Sequence, residues 1–286
     1  MPNAASLLTS ASASAPKPKP ASAPTSNQKT PTGLNVFRLE GLPHFKTGDS
    51  LADLLIAHLD HNEVALVNGD ILVIAHKVVS KCEGALRRLS EVTPTQSALD
   101  LAESVRKDPR KVQIIIDQSK RILRAVRRPE QQEGVLIAEH KRGYICANAA
   151  VDESNSDDPD ILITLPDDPD ASAKAIAGQL EAHFGITLGV IISDTFGRPW
   201  RLGQTNVAIG VANVPALNLM AGETDAYGRP LTVTAPALAD ELAAASGLLM
   251  DKSAQTPVIV FRGLDWQATD SSGQDLIRAQ QEDLFR

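Results

Sequence analysis

The chain has 286 residues, of which 43% are hydrophobic and 22% are charged, and its formal net charge at pH 7 is −7. This length and composition allow one sizeable core or two modest ones. The acidic balance excludes a general nucleic-acid-binding surface, which needs an excess of lysine and arginine. No apolar stretch approaches the roughly 18 residues of a membrane-spanning helix, so no membrane partner is expected.

The first 33 residues differ in composition from the rest of the chain. They consist largely of Ala, Ser, Pro, Thr and Lys, and Leu7 and Leu8 are their only large aliphatic residues. Because such a segment buries too little apolar surface to offset the entropy of ordering, we predict a disordered tail at 1–33 and one folded domain at 34–286. The tail lacks the features of a signal peptide, and the two cysteines, Cys82 and Cys146, form no disulfide or metal-binding pattern. These features predict a cytoplasmic protein.

In the first half of the domain, a strand from Asn35 leads through a turn at 41–43 into a helix with Asp49 or Ser50 as its N-cap. The segment ILVIAHKVVS at 71–80 is predicted to be a single buried strand. Residues 97–128 have a helical pattern with an interruption near Pro109. A basic cluster in this region is then either the solvated face of a helix or a binding patch. Its members are Lys120, Arg121, Arg124, Arg127 and Arg128.

In the second half, GVLIAE and GYICANAAV indicate two strands joined by a turn at 140–143. A helix follows, capped by Asp170 or Ser172 and closed by Gly185. LGVIIS predicts a short buried strand, TAPALADELAAASGLLM a helix and TPVIVFRGL a last strand, and the remainder is predicted to be helical. Because hairpins and helices occur without regular β–α–β alternation, the predicted fold class is α+β.

Two acids, Asp152 and Asp194, each follow an apolar run and lead into short polar residues. Strand ends that deliver a carboxylate into a loop commonly carry metal or substrate ligands. Each acid could instead cap the turn or helix after it. With Asn155 and Thr195 beside them, the pair indicates a site for a hard divalent cation, which prefers oxygen ligands.

Lys77 and Lys81 are the candidate phosphate ligands. In an extended segment these positions share one face, so both ammonium groups would point towards phosphates; the alternative is a solvated edge. The common phosphate-binding loops, G-x-x-x-x-G-K-[ST] and G-x-G-x-x-G, do not occur in the sequence, so a nucleotide would bind to a less familiar scaffold. Arg198 and Arg201 would form either a phosphate or carboxylate clamp or a structural bridge to an acid at 240 or 241.

Eight segments in order resemble the coenzyme F420-0:γ-glutamyl ligase family over about 35–264. They are EGLPHFKTGDSLADLL, VVSKCEG, GYICANAAVDESN, LPDDPDASA, IISDTFGRPWRLGQTNVAIG, DAYGRPLTVT, ALADELAAAS and PVIVFRGL. The resemblance implies a two-lobed α+β fold and a homodimer. It also implies the stand-alone form, since the residues after 264 are too few for the flavin-binding reductase-like domain of some members.

The reaction implied by the resemblance is GTP-dependent ligation of L-glutamate to the phospholactyl-type side chain of coenzyme F420-0. It would pass through an acyl phosphate, release GDP and phosphate, and give F420-1 or longer glutamyl tails. Two other functions suit the same residues. One is a metal-dependent phosphohydrolase, and the other is a non-catalytic nucleotide or deazaflavin carrier.

The resemblance also implies a set of site residues. Asp152 and Asp194 match acids that hold one cation at the reaction centre, and Thr195 matches a ligand of a second; Mg²⁺ or Mn²⁺ is expected, with K⁺ as a further candidate. Asn155 matches a guanine-nucleotide contact. In the loop at 250–256, Lys252 stands where some relatives have an acid, which leaves the ligand set of the second cation open. The remaining implied nucleotide contacts are Leu42, Pro43, His44, Phe45, His76, Lys77 and Lys81.

Overall fold

The computed structural model describes residues 33–154, 158–251 and 255–283. The predicted tail, apart from Gly33, lies outside these ranges. The strands are β1 (Asn35–Arg38), β2 (Ile71–Ala75), β3 (Leu86–Arg88), β4 (Ser119–Val126), β5 (Val135–His140), β6 (Ile145–Ala147), β7 (Ile161–Ile163), β8 (Gly189–Arg198), β9 (Arg201–Ala212) and β10 (Val258–Arg262). The helices are α1 (Leu51–His61), α2 (His76–Cys82), α3 (Gln96–Val105), α4 (Pro109–Gln118), α5 (Pro169–Phe184) and α6 (Leu238–Ser246). Within the described ranges, none of the helices is long and apolar enough to cross a membrane.

A five-stranded sheet in the order β1-β10-β2-β8-β9 forms the centre of the domain. Strands β2 and β8 are parallel, and the other neighbouring pairs are antiparallel. Alternate residues of β2 enter two different hydrophobic clusters. Leu72 and Ile74 pack in the cluster that contains residues of α1 and α5, while Ile71 and Val73 pack in the cluster that contains residues of α6. Burial on both faces explains why these strands are continuous apolar runs.

Two smaller sheets complete the fold, one of β3 and β7 and one in the order β4-β5-β6. Helices α3 and α4 pack on β5, where Ala102, Ile115 and Leu136 belong to a separate hydrophobic cluster. The domain therefore combines mixed sheets with flanking helices, and the predicted α+β class is confirmed.

The segment at 71–80 is not one strand, as the sequence had suggested. Strand β2 ends at Ala75, and α2 begins at the next residue. In this helix His76, Val79 and Ser80 are buried, which is the spacing of one helix face. The prediction failed because a short apolar run does not distinguish a strand from a buried helix. Lys77 and Lys81 still share a face, because residues four apart are neighbours on a helix.

The helical pattern predicted at 97–128 holds only to Gln118. Asp108 caps α4 by accepting a hydrogen bond from the backbone N–H of Arg110 at 2.8 Å, and Ser119 already has extended φ and ψ. The basic cluster therefore begins on strand β4, where Arg121 pairs with Glu139 at 2.8 Å. Because β4 is an edge strand, its exposed charges oppose edge-to-edge association. A binding role for the cluster stays a prediction.

The N-cap of α5 is Asp168, and not Asp170 or Ser172, whereas Gly185 ends the helix with a φ of 68° as predicted. Asp168 accepts a hydrogen bond from the backbone N–H of Ala171 at 3.2 Å. Asp170 is buried and accepts from the backbone N–H of Val211 on β9 at 2.9 Å. The start of α5 lies close to β9 because Gly210 has no side chain; a Cβ there would lie 2.4 Å from the Pro169 carbonyl carbon.

Strand β8 extends well beyond the predicted LGVIIS, and β9 was not predicted. Together they form a long antiparallel hairpin in which Arg198 lies opposite Arg201. Asp194 is thus inside a strand and not at its end. The C-terminal remainder is also not a regular helix within the described residues, where it contains short 3₁₀ turns at Gly273–Leu276 and Gln280–Glu282.

Candidate active site

A cavity of about 790 Å³ opens at the carboxyl end of β2, beside its parallel neighbour β8. Ligands of sheets with parallel strands commonly bind outside these strand ends. The site residues that the family resemblance implies all line this cavity where the structure describes them, whereas Asn155 and Lys252 lie outside the described residues. The lining residues predicted from sequence are Leu42, Pro43, His44, Phe45, His76, Lys77, Lys81, Asp152, Asp194 and Thr195.

Asp152 is held as a carboxylate by its neighbours. Its Oδ2 lies 2.6 Å from the Lys77 ammonium, and its Oδ1 accepts a hydrogen bond from the backbone N–H of Ser154 at 2.7 Å. Burial raises the pKa of the Asp152 carboxyl, but the bonds from Lys77 and Ser154 outweigh burial, so the pKa lies below its ordinary value. The group is therefore ionised at neutral pH and able to bind a cation.

A left-handed stretch of backbone precedes Asp152. Asn148, Ala149 and Ala150 have φ values of 52°, 50° and 57°. Non-glycine residues avoid this region because the Cβ atom crowds the backbone, and each such residue costs on the order of 1 kcal/mol. The turn is held by neighbours: the Asn148 side-chain oxygen accepts from the backbone N–H of Leu136, and Ala149 is buried. The surrounding structure thus imposes a strained backbone on the segment that carries Asp152.

We expect Ala150→Val to reduce both stability and enzymatic activity, because a β-branched side chain is unfavourable at a positive φ. The expected loss of unfolding free energy is about 1–2 kcal/mol, measured by urea denaturation. Ala150→Gly is the matched control and should keep activity and stability, since glycine adopts this conformation without strain. Equal activity and stability in both variants would show that the turn does not constrain Asp152.

Asp194 lies beside a buried histidine. His76 is 2% exposed; its Nε2 is 3.2 Å from Asp194 Oδ1, and its Nδ1 is 3.2 Å from the Ser80 hydroxyl. The contact with Asp194 is close but not aligned as a hydrogen bond. Asp194 Oδ1 also accepts from the backbone N–H of Thr195 at 2.6 Å. The His76 side chain therefore faces the acid, and the nucleotide contact that the resemblance implies for this residue stays a prediction.

Lys81 differs from Lys77 in its ionic contacts. Lys77 is paired with Asp152, whereas Lys81 makes none of the ion pairs found among the described residues. The described lining also contains three carboxylates, those of Asp152, Asp194 and Asp251. A polyphosphate entering this cavity would therefore need further positive charge in addition to the two lysines.

Several residues that line the cavity were not predicted from the sequence. Ser193, Gln204, Thr205 and Asn206 lie on the β8–β9 hairpin and border the cavity. The apolar run at 207–212, which contains the β-branched residues Val207, Ile209 and Val211, is the signal that could have identified β9. In contrast, Arg198 and Arg201 are exposed and do not line the cavity.

The Arg198 guanidinium donates to the Leu202 carbonyl oxygen at 3.1 Å. The proposed bridge to an acid on α6 is not seen among the described residues, where Asp240 accepts from the backbone N–H of Ala208 at 2.8 Å. The clamp role of the two arginines remains a prediction.

The oxygen ligands around the cavity suit a hard divalent cation. Among the described residues there is no cluster of three or more His, Cys, Asp or Glu side chains that would enclose a metal ion. Mg²⁺ is commonly bound through one or two carboxylates, with water and substrate phosphates completing the coordination. Asp152, Asp194 and the hydroxyl of Thr195 line one cavity and match this type of site.

His140, a buried residue at the end of β5, should make stability depend on pH. It is buried, and burial with nearby Arg142 and Lys141 lowers its pKa to about 4, from 6.5. The unfolded chain therefore takes up a proton before the folded protein does, and stability falls as pH drops from 6.5 towards 4. This histidine alone should make unfolding about 2 kcal/mol easier at pH 5.0 than at pH 7.5.

Urea denaturation of the wild type and of His140→Gln at both pH values tests this expectation. The variant should lose less stability between them, because the other groups are common to both proteins. The lowered pKa of Asp152 changes stability mainly below pH 3.8, the ordinary pKa of an aspartate, and so outside this pH range. An equal pH dependence in the two proteins would contradict the assignment to His140.

Comparisons with known proteins identify relatives over most of the chain. The model of the F420-0:Gamma-glutamyl ligase family matches residues 41–263. A coenzyme F420:L-glutamate ligase of Methanothermobacter thermautotrophicus is 41% identical over 257 residues, which cover 89% of this chain and 99% of the relative. The ligase of Methanopyrus kandleri is 42% identical over 262 residues with the same coverage. That of Methanocaldococcus jannaschii is 38% identical over 248 residues, covering 86% of this chain and 94% of the relative.

Proposed function

The chain belongs to the F420-0:gamma-glutamyl ligase family, and we propose that it ligates L-glutamate to coenzyme F420-0 with cleavage of GTP to GDP and phosphate. The observation that carries the proposal is the single cavity where the described candidates meet: two lysines, two acids, a hydroxyl and the loop at 42–45. Phosphate ligands and cation ligands in one place suit the transfer of a phosphoryl group to a carboxylate.

The proposed reaction has two steps. A side-chain carboxylate oxygen of F420-0 attacks the γ-phosphorus of GTP, and the bond to the β-phosphate oxygen breaks, giving an acyl phosphate and GDP. The glutamate amine then attacks the acyl carbon and loses a proton as phosphate leaves. The carboxylate thus gives one oxygen to phosphate, and an amide bond replaces it.

Each group of cavity residues has a role in this proposal. The loop residues Leu42, Pro43 and Phe45 offer apolar surface to the nucleotide, and Lys77 and Lys81 bind its phosphates. Asp152 and Asp194 would hold Mg²⁺ or Mn²⁺, with Thr195 as a ligand of a second ion. Such ions, when bound, neutralise charge at the transferred phosphoryl group.

Lys77 donates to Asp152 at 2.6 Å and to the Ser154 hydroxyl, so one of the three N–H groups of its ammonium is left for a phosphate. These contacts make Lys77 an organiser of the Asp152 carboxylate as well as a phosphate ligand in this proposal. Lys81 makes none of the ion pairs found among the described residues, so its charge is not shared with a carboxylate.

The proposal includes a homodimer that works in the cytoplasm, where GTP and glutamate are found. Large apolar side chains are highly exposed at the end of the β8–β9 hairpin and in the segment after it. Trp200 is 81% and Leu202 98% exposed, and Tyr227 and Val233 are 87% and 90% exposed. Exposed apolar surface of this kind commonly marks protein contacts. Light scattering after gel filtration gives the oligomeric state.

The test is incubation of the full chain with F420-0, GTP, L-glutamate and Mn²⁺ or Mg²⁺, followed by mass spectrometry. The expected result is a product heavier by one or more glutamyl units and one GDP for each amide bond. With ¹⁸O in the side-chain carboxylate of F420-0, the label should appear in inorganic phosphate. Label in GMP would indicate nucleotidyl activation instead, and ATP in place of GTP measures nucleotide selectivity.

Two results would overturn the proposal. Release of GDP at the same rate without glutamate or F420-0 would identify a phosphohydrolase. Binding of GTP and F420-0 without turnover would identify a carrier.

A further inference from the structure

Thr195 and Asn206 lie directly opposite each other on strands β8 and β9. The Thr195 hydroxyl and the Asn206 side-chain oxygen are 2.8 Å apart. Both residues line the cavity, and side chains opposite one another on neighbouring strands share a face of the sheet. Asn206 was not predicted to be a site residue, and it has no role in the proposed reaction.

The orientation of the Asn206 amide follows from the hydrogen bonds around it. Ser246, at the end of α6, donates its hydroxyl proton to the Ala243 carbonyl oxygen at 2.6 Å. A hydroxyl has one proton, so the Ser246 oxygen is left as an acceptor. It therefore receives the Asn206 amide group, whose nitrogen is 3.4 Å away, and the same nitrogen lies 3.5 Å from the sulfur of Met250.

This orientation determines what Thr195 presents to the cavity. With its nitrogen towards Ser246, Asn206 presents a carbonyl oxygen to Thr195, which can only accept a proton. The Thr195 hydroxyl must then donate to Asn206. Its proton is directed along the sheet, and the lone pairs of the oxygen are left for other partners.

We propose that Asn206 is a positioning residue that makes the Thr195 hydroxyl an oxygen ligand for a divalent cation. This inference rests on the proposed function, in which Thr195 is a cation ligand. A threonine hydroxyl whose proton is free to rotate can present hydrogen towards the cavity and repel a cation, whereas a hydroxyl bonded to Asn206 cannot. Partners that orient a metal ligand commonly affect metal affinity 10- to 100-fold.

The same contacts link the site to the loop after α6. Met250 lines the cavity, and the backbone N–H of the next residue, Asp251, donates to the Thr256 hydroxyl at 3.1 Å. Gly247 lies against Asn206, with its ideal Cβ position 3.4 Å from the amide nitrogen. Asn206 is thus held between the hairpin and the end of α6, which fixes the direction of its side chain.

The test measures Mn²⁺ binding by electron paramagnetic resonance in the presence of a GTP analogue that cannot transfer its γ-phosphoryl group. We expect Asn206→Leu, which has a similar shape but no acceptor, to weaken Mn²⁺ binding about 10- to 100-fold. Asn206→Asp keeps an acceptor for the Thr195 hydroxyl and should bind within a few-fold of the wild type. Asn206→Ala gives the same test if the leucine variant does not fold.

The double variant separates a positioning role from a general structural one. If Asn206 acts through Thr195, then Thr195→Val with Asn206→Leu should bind Mn²⁺ no more weakly than Thr195→Val alone. Asn213→Ala is the matched control, because it removes an asparagine just beyond the far end of β9 that is bonded to the Leu188 carbonyl oxygen. It should lower stability without changing Mn²⁺ affinity.

Three results would overturn the inference. If Asn206→Leu binds Mn²⁺ with wild-type affinity while Thr195→Val binds it more weakly, Asn206 has no positioning role, and the proposed function is unaffected. Additive losses in the double variant would show that Asn206 does not act through Thr195. Wild-type affinity in Thr195→Val would remove the cation role of Thr195 itself, and the inference with it.

Discussion

Asp194→Ala is expected to reduce the turnover of ligation by about a thousandfold or more while the protein stays folded. The Asp194 carboxylate lies in a cavity with two other acids, and under the proposed function a triphosphate and the substrate carboxylate would add further negative charge. Removing a cation ligand there leaves the charge that develops during phosphoryl transfer unbalanced. Asp152→Ala should have an effect of the same order, because it also removes the partner of the Lys77 ammonium at 2.6 Å.

Asp194→Asn distinguishes the charge from the shape of the side chain. Asparagine keeps an oxygen for the Thr195 backbone N–H, which Asp194 accepts at 2.6 Å, but it binds divalent cations less strongly than a carboxylate. It should therefore lose nearly as much turnover as alanine. The matched control is Asp270→Ala, which removes an exposed aspartate paired with Lys174 at 2.9 Å. A surface pair of this kind contributes little, so its activity should be unchanged.

The measurement combines steady-state turnover with circular dichroism and Mn²⁺ binding. Wild-type turnover in either alanine variant would exclude that acid from the reaction. A folded variant with no turnover and normal Mn²⁺ binding would place the acid in the site but remove its role as a cation ligand.

Lys81→Met is expected to lower kcat/KM for GTP about a hundredfold, with a higher KM and a lower kcat. Lys81 lines the cavity and, among the described residues, makes no ion pair with a carboxylate, so its charge is available to phosphate. Negative charge at the γ-phosphoryl oxygens and the leaving oxygen is stabilised in the transition state, which is why kcat should fall together with affinity. Lys81→Arg should restore activity only in part, because a planar guanidinium fits phosphate differently from a compact ammonium group.

Steady-state kinetics with GTP varied at saturating glutamate and F420-0 measure kcat and KM for the wild type and both Lys81 variants. Lys174→Met is the matched control, since this lysine is exposed, pairs with Asp270 and does not line the cavity. An unchanged kcat/KM for Lys81→Met would show that the phosphates bind elsewhere. A rise in KM alone would mean that Lys81 binds the ground state and the transition state equally well.

Several features of the fold could be predicted from local sequence because neighbouring residues determine them. Ser50 caps α1 by accepting from the Asp53 backbone N–H at 3.3 Å, and Gly185 ends α5 in a left-handed conformation. The apolar run at 258–262 is buried strand β10, as its composition indicated. The segments that resemble the ligase family also allowed cavity-lining residues to be predicted, because each residue of a matching motif corresponds to one position in the family.

Other features depended on contacts between distant segments. The apolar residues after Ala75 are compatible with a strand or a buried helix, and packing in the core selected the helix α2. Residues 119–126 became a strand because they pair with β5, which lies farther along the chain. A strand pairs with whatever segment the fold places beside it, so local propensity alone does not identify it.

Local sequence is sufficient to predict the start of α1 at Ser50, the end of α5 at Gly185 and the apolar runs of β2, β8 and β10, and its longer motifs identify the family. Three contacts in the site are visible only in the folded protein: Lys77 pairs with Asp152, His76 faces Asp194, and Asn206 lies opposite Thr195. Caps and apolar periodicity act between residues a few positions apart, and the sequence shows them directly. The pairs in the site join residues separated by strand pairing and core packing, so their partners are defined only once the sheet has formed.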